Sequence, residues 1–113
     1  MFRAKLLSIA ILFTLPSAHA SDADVQFAKA TYTYKTVEGH AIKADVYRPP
    51  DNRLRPVILF LHGGALIFGD RTGIRNAQLG RYLKEGFVVV SIDYRLAPET
   101  KLPGIIEDLQ DAY

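Results

Sequence analysis

The chain contains no cysteine. A disulfide framework and a cysteine-ligated zinc site are excluded, and the fold must rest on its core alone. Serine is almost as scarce, with only Ser21 and Ser91 beyond residue 20. A strong excess of one charge is missing too: Lys and Arg number 14, Asp and Glu 12. The cations are scattered, whereas a nucleic-acid footprint needs them clustered on one face. The apolar run at residues 6–15, broken by Ser8 and Thr14, is too short for a membrane span, which takes roughly 18 residues or more. At 113 residues the chain has room for one domain at most.

That short run has a different use. Arg3 and Lys5 precede it, Pro16 ends it, and Ala18-His19-Ala20 places small residues where a signal peptidase reads. Charged, apolar, small is the order of a secretory signal peptide, so residues 1–20 are expected to be a leader cleaved after Ala20. The mature part, 21–113, is then secreted or periplasmic, with no stable membrane span. Cleavage removes two of the 14 cations and none of the 12 acids, and the formal net charge falls from +2 to zero. The small cationic excess therefore carries no argument for a nucleic-acid partner.

In the mature part, residues 30–37 and 40–48 are two runs of β-formers around Glu38-Gly39. In the second, Ile42, Ala44 and Val46 alternate with Lys43, Asp45 and Tyr47, so an antiparallel hairpin with one buried face is expected. Pro49-Pro50-Asp51-Asn52 breaks the chain. Residues 57–61, Val-Ile-Leu-Phe-Leu, have no polar face and suit a strand covered on both sides. Ala77, Leu79, Tyr82 and Leu83 recur at helical intervals within 75–85, and Gly86 is a natural stop. Residues 87–92 are a second apolar strand. Strand, helix, strand reads as a parallel unit with a crossover helix. A further helix starts at Gly104 and runs to Tyr113, with Ile105, Ile106, Leu109 and Ala112 on one side. The fold class is α/β: a hairpin leading into a parallel sheet.

The loop after the third strand, His62-Gly63-Gly64-Ala65-Leu66-Ile67-Phe68-Gly69, has three readings. A phosphate cradle would need Gly-x-Gly-x-x-Gly or a Walker pattern, and the spacing fits neither. A tight turn explains one glycine better than it explains His62, Gly63, Gly64 and Gly69 together. An oxyanion hole explains the ensemble: successive N–H groups must aim at one point, which takes backbone angles that glycine permits. A His-Gly-Gly loop after the third strand is where α/β-hydrolases place this device.

These residues, followed by Asp70-Arg71, resemble the His-Gly-Gly-Gly/Ala loop of esterases related to hormone-sensitive lipase, including feruloyl-esterase-like and formamidase-like members. Asp93-Tyr94-Arg95-Leu96-Ala97-Pro98-Glu99 is similar to the segment after that family's fourth strand, and Pro103 with Glu107-Asp108 to the opening of its next helix. The resemblance implies the N–H groups of Gly64 and Ala65 as oxyanion donors, Gly63 as a shaper of the turn, and His62 and Gly69 as residues that orient the loop. It implies that Asp93, Tyr94, Arg95 and Glu99 are a structural motif, with Asp93, Arg95 and Glu99 a charge network holding the loop. Leu66 departs from the aromatic residue often found there, and Phe68 is either a pocket wall or a core residue. The implied sheet places the fourth strand between the second and third, with the nucleophile-elbow strand on the free side of the third.

That elbow is not in this sequence. The family's Gly-x-Ser-x-Gly serine, acid and histidine follow in that order, and no residue here fills any of the three roles. Ser91 lies inside an apolar strand and His40 at the hairpin turn. The expectation is the N-terminal part of an exported serine carboxylic-ester hydrolase, truncated before its nucleophile, inactive alone, acting on a small-molecule ester with no metal or cofactor. The alternative is a non-catalytic remnant or a small exported binding module.

Overall fold

The computed structural model describes residues 26–113; the leader expected at residues 1–20 lies outside the described residues. Strands β1 (Ala28–Val37) and β2 (His40–Arg48) form the hairpin. Its turn residues Glu38 and Gly39 have φ of 48° and 82°, the doubly left-handed geometry whose twist suits a two-residue connection. Next come β3 (Val57–Leu61), α1 (Asn76–Lys84), β4 (Val88–Ile92) and α2 (Leu102–Ala112). A 3-10 turn at Arg71–Gly73, absent from the sequence reading, separates β3 from α1. The sheet order is β1-β2-β4-β3, with β4 antiparallel to β2 and parallel to β3. The fourth strand thus lies between the second and third, and α1 is the crossover helix. Among the described residues no helix is long and apolar enough to cross a membrane.

Gly86 ends α1 for a physical reason. It takes φ +91°, its N–H donates to the Leu83 carbonyl at 3.0 Å, and the Phe87 N–H donates to the Tyr82 carbonyl at 3.1 Å. These paired bonds satisfy the last carbonyls of a helix and need a left-handed residue between them. The apolar face of α1 then buries Leu79 and Leu83 against Tyr47, Val89 and Ile74.

That packing corrects the reading of β2. Ile42 and Ala44 are buried as expected, but so are Asp45 and Tyr47, while Val46 is only partly covered. β2 is an interior strand, and Tyr47 joins the cluster beneath α1. Asp45 is fully buried because Lys29 Nζ (2.9 Å), Arg71 Nε (3.0 Å) and the Thr31 hydroxyl (2.7 Å) meet its carboxylate.

A bulge in β1 creates a second charged cluster. Thr33 pairs with Lys43 but Lys35 with Ile42, leaving Tyr34 as the extra residue. Strict alternation would put Lys35 on the face of Lys29 and Thr31; one inserted residue reverses that. Lys35 instead reaches Asp108 at 3.0 Å and Asp111 at 2.6 Å on α2, and the Tyr34 hydroxyl donates to the Asp93 carbonyl at 2.5 Å. Burial, with Asp108 and Asp93 nearby, pushes that phenol up to about 12.

Two further differences concern exposure. The helix expected at residues 104–113 begins earlier, at Leu102, with Pro103 in its first turn, where a missing N–H costs nothing. Its inner face carries Ile105 and Asp108, whereas Ile106 is 45% exposed. Arg95 and Lys35 draw the Asp108 carboxylate inward, at 2.7 and 3.0 Å. β3 is not covered on both sides either. No strand of the described residues pairs with its outer edge, and Val57 and Leu61 are 61% and 45% exposed. An unpaired apolar edge recruits strands from other molecules. Light scattering is expected to show concentration-dependent association of the chain, weakened by Val57→Lys.

Burial pushes the Asp45 and Asp108 carboxyls up, but hydrogen bonds outweigh it: from Lys29, Thr31 and Arg71 to the first, from Arg95 and Lys35 to the second. Both are held below the ordinary carboxylate range. Since an unfolded Asp titrates near pH ~3.9, their stabilisation is complete above that value and lost as pH falls through the lower folded values. Resistance to urea unfolding is expected to fall steeply below about pH 4. Asp108→Ala, which strands the Arg95 guanidinium, is expected to cost about 3–5 kcal/mol at pH 7.

Candidate active site

The loop 62–69 leaves the C-terminal end of β3, beside the end of β4. Ligands of open α/β sheets bind beyond that end of the strands. Glycine is indispensable at two of its positions. Gly64 has φ +124°, and a Cβ there would lie 1.8 Å from the Phe68 carbonyl oxygen. The cause is a tight turn in which the N–H groups of Ile67 and Phe68 both donate to the Gly64 carbonyl, at 3.0 and 3.2 Å. Gly69 has φ +104°, and its Cβ would lie 2.5 Å from both the Gly63 carbonyl oxygen and His62 Nδ1. Gly63 differs: a Cβ there meets nothing within 4 Å. The turn assigned to Gly63 is shaped instead by Gly64 and Gly69.

Between those glycines, Ala65 and Leu66 both adopt positive φ, 53° and 67°. Each such residue costs about 1–2 kcal/mol for an L side chain, so the surrounding bonds must hold the loop in place. The N–H groups of Gly64 and Ala65 donate to nothing among the described residues. Leu66, Ile67 and Phe68 are exposed around them. Phe68 is therefore not a core residue, and it is free to form a wall.

His62 is buried, at 5% exposure. Its Nδ1 lies 2.8 Å from the Gly63 carbonyl oxygen, which can only accept, so Nδ1 carries the proton. The ring stacks on Tyr94 with centroids 4.2 Å apart and planes within 4°. The Tyr94 hydroxyl donates to the His62 carbonyl at 2.7 Å. His62 Nε2 is buried without a partner among the described residues.

The segment after β4 divides its work. Asp93 accepts the Arg71 N–H at 2.8 Å and pairs with its guanidinium at 2.7 Å, tying down the loop's exit. Arg71 also bonds Asp45, so the buried carboxylate of β2 and the loop share one cation. Arg95 points elsewhere, to Asp108 at 2.7 Å and the Gly104 carbonyl at 3.0 Å, and holds α2. Glu99 belongs to neither network. It lines a cavity of about 550 Å³ with Val37, His40, Ile42, Arg95 and Lys101, a space that includes no residue of the loop 62–69. The single charge network expected of Asp93, Arg95 and Glu99 is thus two networks and a bystander. Asp70, which the sequence reading left without a role, caps the 3-10 turn through the Thr72 N–H at 2.7 Å. The Asp-x-Thr spacing was the available signal.

The described residues do not assemble a triad. Ser91 is fully buried, and its hydroxyl donates to the Arg71 carbonyl at 2.6 Å. His40 sits by the hairpin turn. No group of three His, Cys, Asp or Glu among the described residues could hold a metal ion.

A parallel unit with a glycine-rich loop at the strand ends is the arrangement of an α/β-hydrolase fold, and comparison with known proteins makes this specific. The BD-FAE family model matches residues 44–113. The chain belongs to this α/β-hydrolase family, and it is the N-terminal part of that fold. Among solved structures it is similar to the esterase Est2 of the Planctomycetes species Thermogutta terrifontis, with TM-score 0.66 and 26% identity, covering 74% of this chain and 31% of that one. It is also similar to the hyperthermophilic esterase of the archaeon Pyrobaculum calidifontis, with TM-score 0.58 and 37% identity, covering 77% and 28%. Among curated proteins it resembles the non-reducing polyketide synthase pkbA of Emericella nidulans, 38% identical over 120 residues, 98% of this chain but 5% of the synthase. The synthase Preu6 of Preussia isomera is 43% identical over 86 residues, 74% and 4% respectively. The chain spans less than a third of either esterase.

Two substitutions separate the roles of the loop positions. Gly69→Ala forces a Cβ against a carbonyl and the imidazole at a left-handed position, and is expected to cost at least about 2 kcal/mol in urea unfolding. Ala65→Gly relieves a left-handed alanine but loosens the unfolded chain, two effects of similar size. Its stability is expected to stay within about 1 kcal/mol of wild type.

Proposed function

We propose that this chain supplies the oxyanion-stabilising loop of an exported serine hydrolase acting on small-molecule carboxylic esters. The observation that carries the reading is the pair of N–H groups at Gly64 and Ala65, which donate to nothing among the described residues while the carbonyls of His62, Gly63, Gly64 and Leu66 are bonded. When a serine oxygen adds to an ester carbonyl, the carbonyl oxygen gains a full negative charge. Two donors already turned outward stabilise that charge with no reorganisation at the moment of reaction. The exposed Leu66, Ile67 and Phe68 offer an apolar surface for the acyl group beside the donors. The described residues hold no available nucleophile, so the serine, acid and base come from outside them. The adduct expels the alcohol and leaves the acyl group on that serine, and in the second step water adds to the acyl carbonyl and releases the acid.

The curated relatives favour a second reading of the acyl group. They are polyketide synthases at 34–43% identity, so the carbonyl this loop receives would belong to a polyketide chain. The oxyanion chemistry is the same in both cases; only the leaving group and acyl length differ.

Two measurements test the proposal. The first is the coding DNA past codon 113, where an in-frame or one-base-shifted Gly-x-Ser-x-Gly is expected; several hundred bases without one would sink the esterase reading in favour of a non-catalytic remnant. The second is hydrolysis of p-nitrophenyl acetate by the longest product of the gene. Turnover is expected there, with kcat falling about 100-fold or more in Gly64→Ala, the scale of one lost oxyanion donor. Faster turnover with a polyketide-like thioester would favour the second reading. Export is expected to leave Ser21 as the first residue of the mature protein, read by mass spectrometry.

A further inference from the structure

We infer that the Tyr94 hydroxyl positions the oxyanion donors, by holding the His62 carbonyl so that the following peptides turn their N–H groups outward. The inference rests on the oxyanion reading proposed for residues 62–69. In a planar trans peptide the C=O and N–H point in opposite directions, so fixing a carbonyl fixes the next residue's N–H. The His62 carbonyl accepts from the Tyr94 hydroxyl at 2.7 Å, which directs the Gly63 N–H away from Tyr94. The Gly63 carbonyl is held by His62 Nδ1 at 2.8 Å, which directs the Gly64 N–H away from the imidazole. The Gly64 carbonyl accepts from Ile67 and Phe68, which directs the Ala65 N–H away from the turn. The second and third of these bonds set the N–H groups of Gly64 and Ala65, and the first anchors the peptide on which those two are built.

Tyr94 is the part of this arrangement that comes from outside the loop. The second lock is supplied by His62 and the third by the loop's own amides. The stacked Tyr94 ring, 4.2 Å from the imidazole, also orients the group that makes the second lock. The far end is pinned by the same segment, since the Ala97 N–H donates to the Leu66 carbonyl at 2.8 Å. The strained pair Ala65 and Leu66 is thus held from both sides by residues 94 and 97. Tyr94 touches neither substrate nor reacting atoms, so it is a positioning residue.

Hydrogen exchange read by mass spectrometry on the full chain tests this, using Tyr94→Phe, which keeps the stacked ring and deletes only the hydroxyl. Tyr34→Phe is the matched control: its hydroxyl also caps a backbone carbonyl, that of Asp93, without touching the loop. Amides of Ile67, Phe68 and Ala97 are expected to exchange about fivefold faster or more in Tyr94→Phe, the scale of one lost hydrogen bond. β2 and β4 keep their wild-type exchange, and Tyr34→Phe leaves the loop unchanged. Wild-type exchange in the loop of Tyr94→Phe overturns the inference. So does equal acceleration in loop and strands, or equal loosening by Tyr34→Phe, since either marks a merely structural hydroxyl. A loosened loop accompanied by a lower kcat and unchanged KM in the longest ester-hydrolysing product supports the inference in full. A loosened loop with no ester turnover from any wild-type product leaves the positioning supported and overturns the hydrolase reading instead.

Discussion

Two carboxylates taken entirely out of water set the conditions that the rest of the structure meets. Asp45 and Asp108 are both fully buried, and a buried ion costs several kcal/mol unless cations and hydrogen bonds surround it. Asp45 recruits Lys29, Thr31 and Arg71; Asp108 recruits Lys35 and Arg95. Each recruitment has a structural consequence. The β1 bulge brings Lys35 to α2, the 3-10 turn brings Arg71 over β2, and Arg95 ties the segment after β4 to the next helix. Because Arg71 also binds Asp93, the demand of Asp45 extends to the exit of the loop 62–69.

The loop obeys a related rule, that buried backbone groups must find partners. Its carbonyls at 62, 63, 64 and 66 are all bonded. Meeting that requirement within eight residues forces Ala65 and Leu66 to positive φ and permits only glycine at 64 and 69. The N–H groups of Gly64 and Ala65 are among those the loop leaves without an acceptor among the described residues. Strain of this kind persists where the surroundings over-determine it, and here they do so from β4's trailing segment as well as from within the loop.

Local patterns were legible wherever a single stretch of chain decides the outcome. The hairpin around Glu38-Gly39, the apolar strands at 57–61 and 87–92, the stop at Gly86 and the importance of Gly64 and Gly69 all follow from spacing and residue type. Misreadings occurred where a distant residue decides. Asp45 and Tyr47 read as a polar face because Arg71 and α1, which cover them, lie some thirty residues further on. Ile106 read as part of the apolar side of the last helix because nothing near it reports that Arg95 and Lys35 bury Asp108 instead. Gly63 read as the shaper of the turn because it stands beside the glycine that is.

Sequence alone determined that this is an α/β chain with a glycine-rich loop after the third strand, since glycine spacing and apolar runs are properties of the local backbone. It also gave neither Ser21 nor Ser91 a context that suits a nucleophile's role. Only the tertiary structure decided how the loop is held. Tyr94 lies 32 residues from His62, and no periodicity signals that its hydroxyl meets that carbonyl. The parallel pairing of β3 and β4 brings the two strand ends together, and that proximity turns a glycine-rich turn into a fixed set of outward donors.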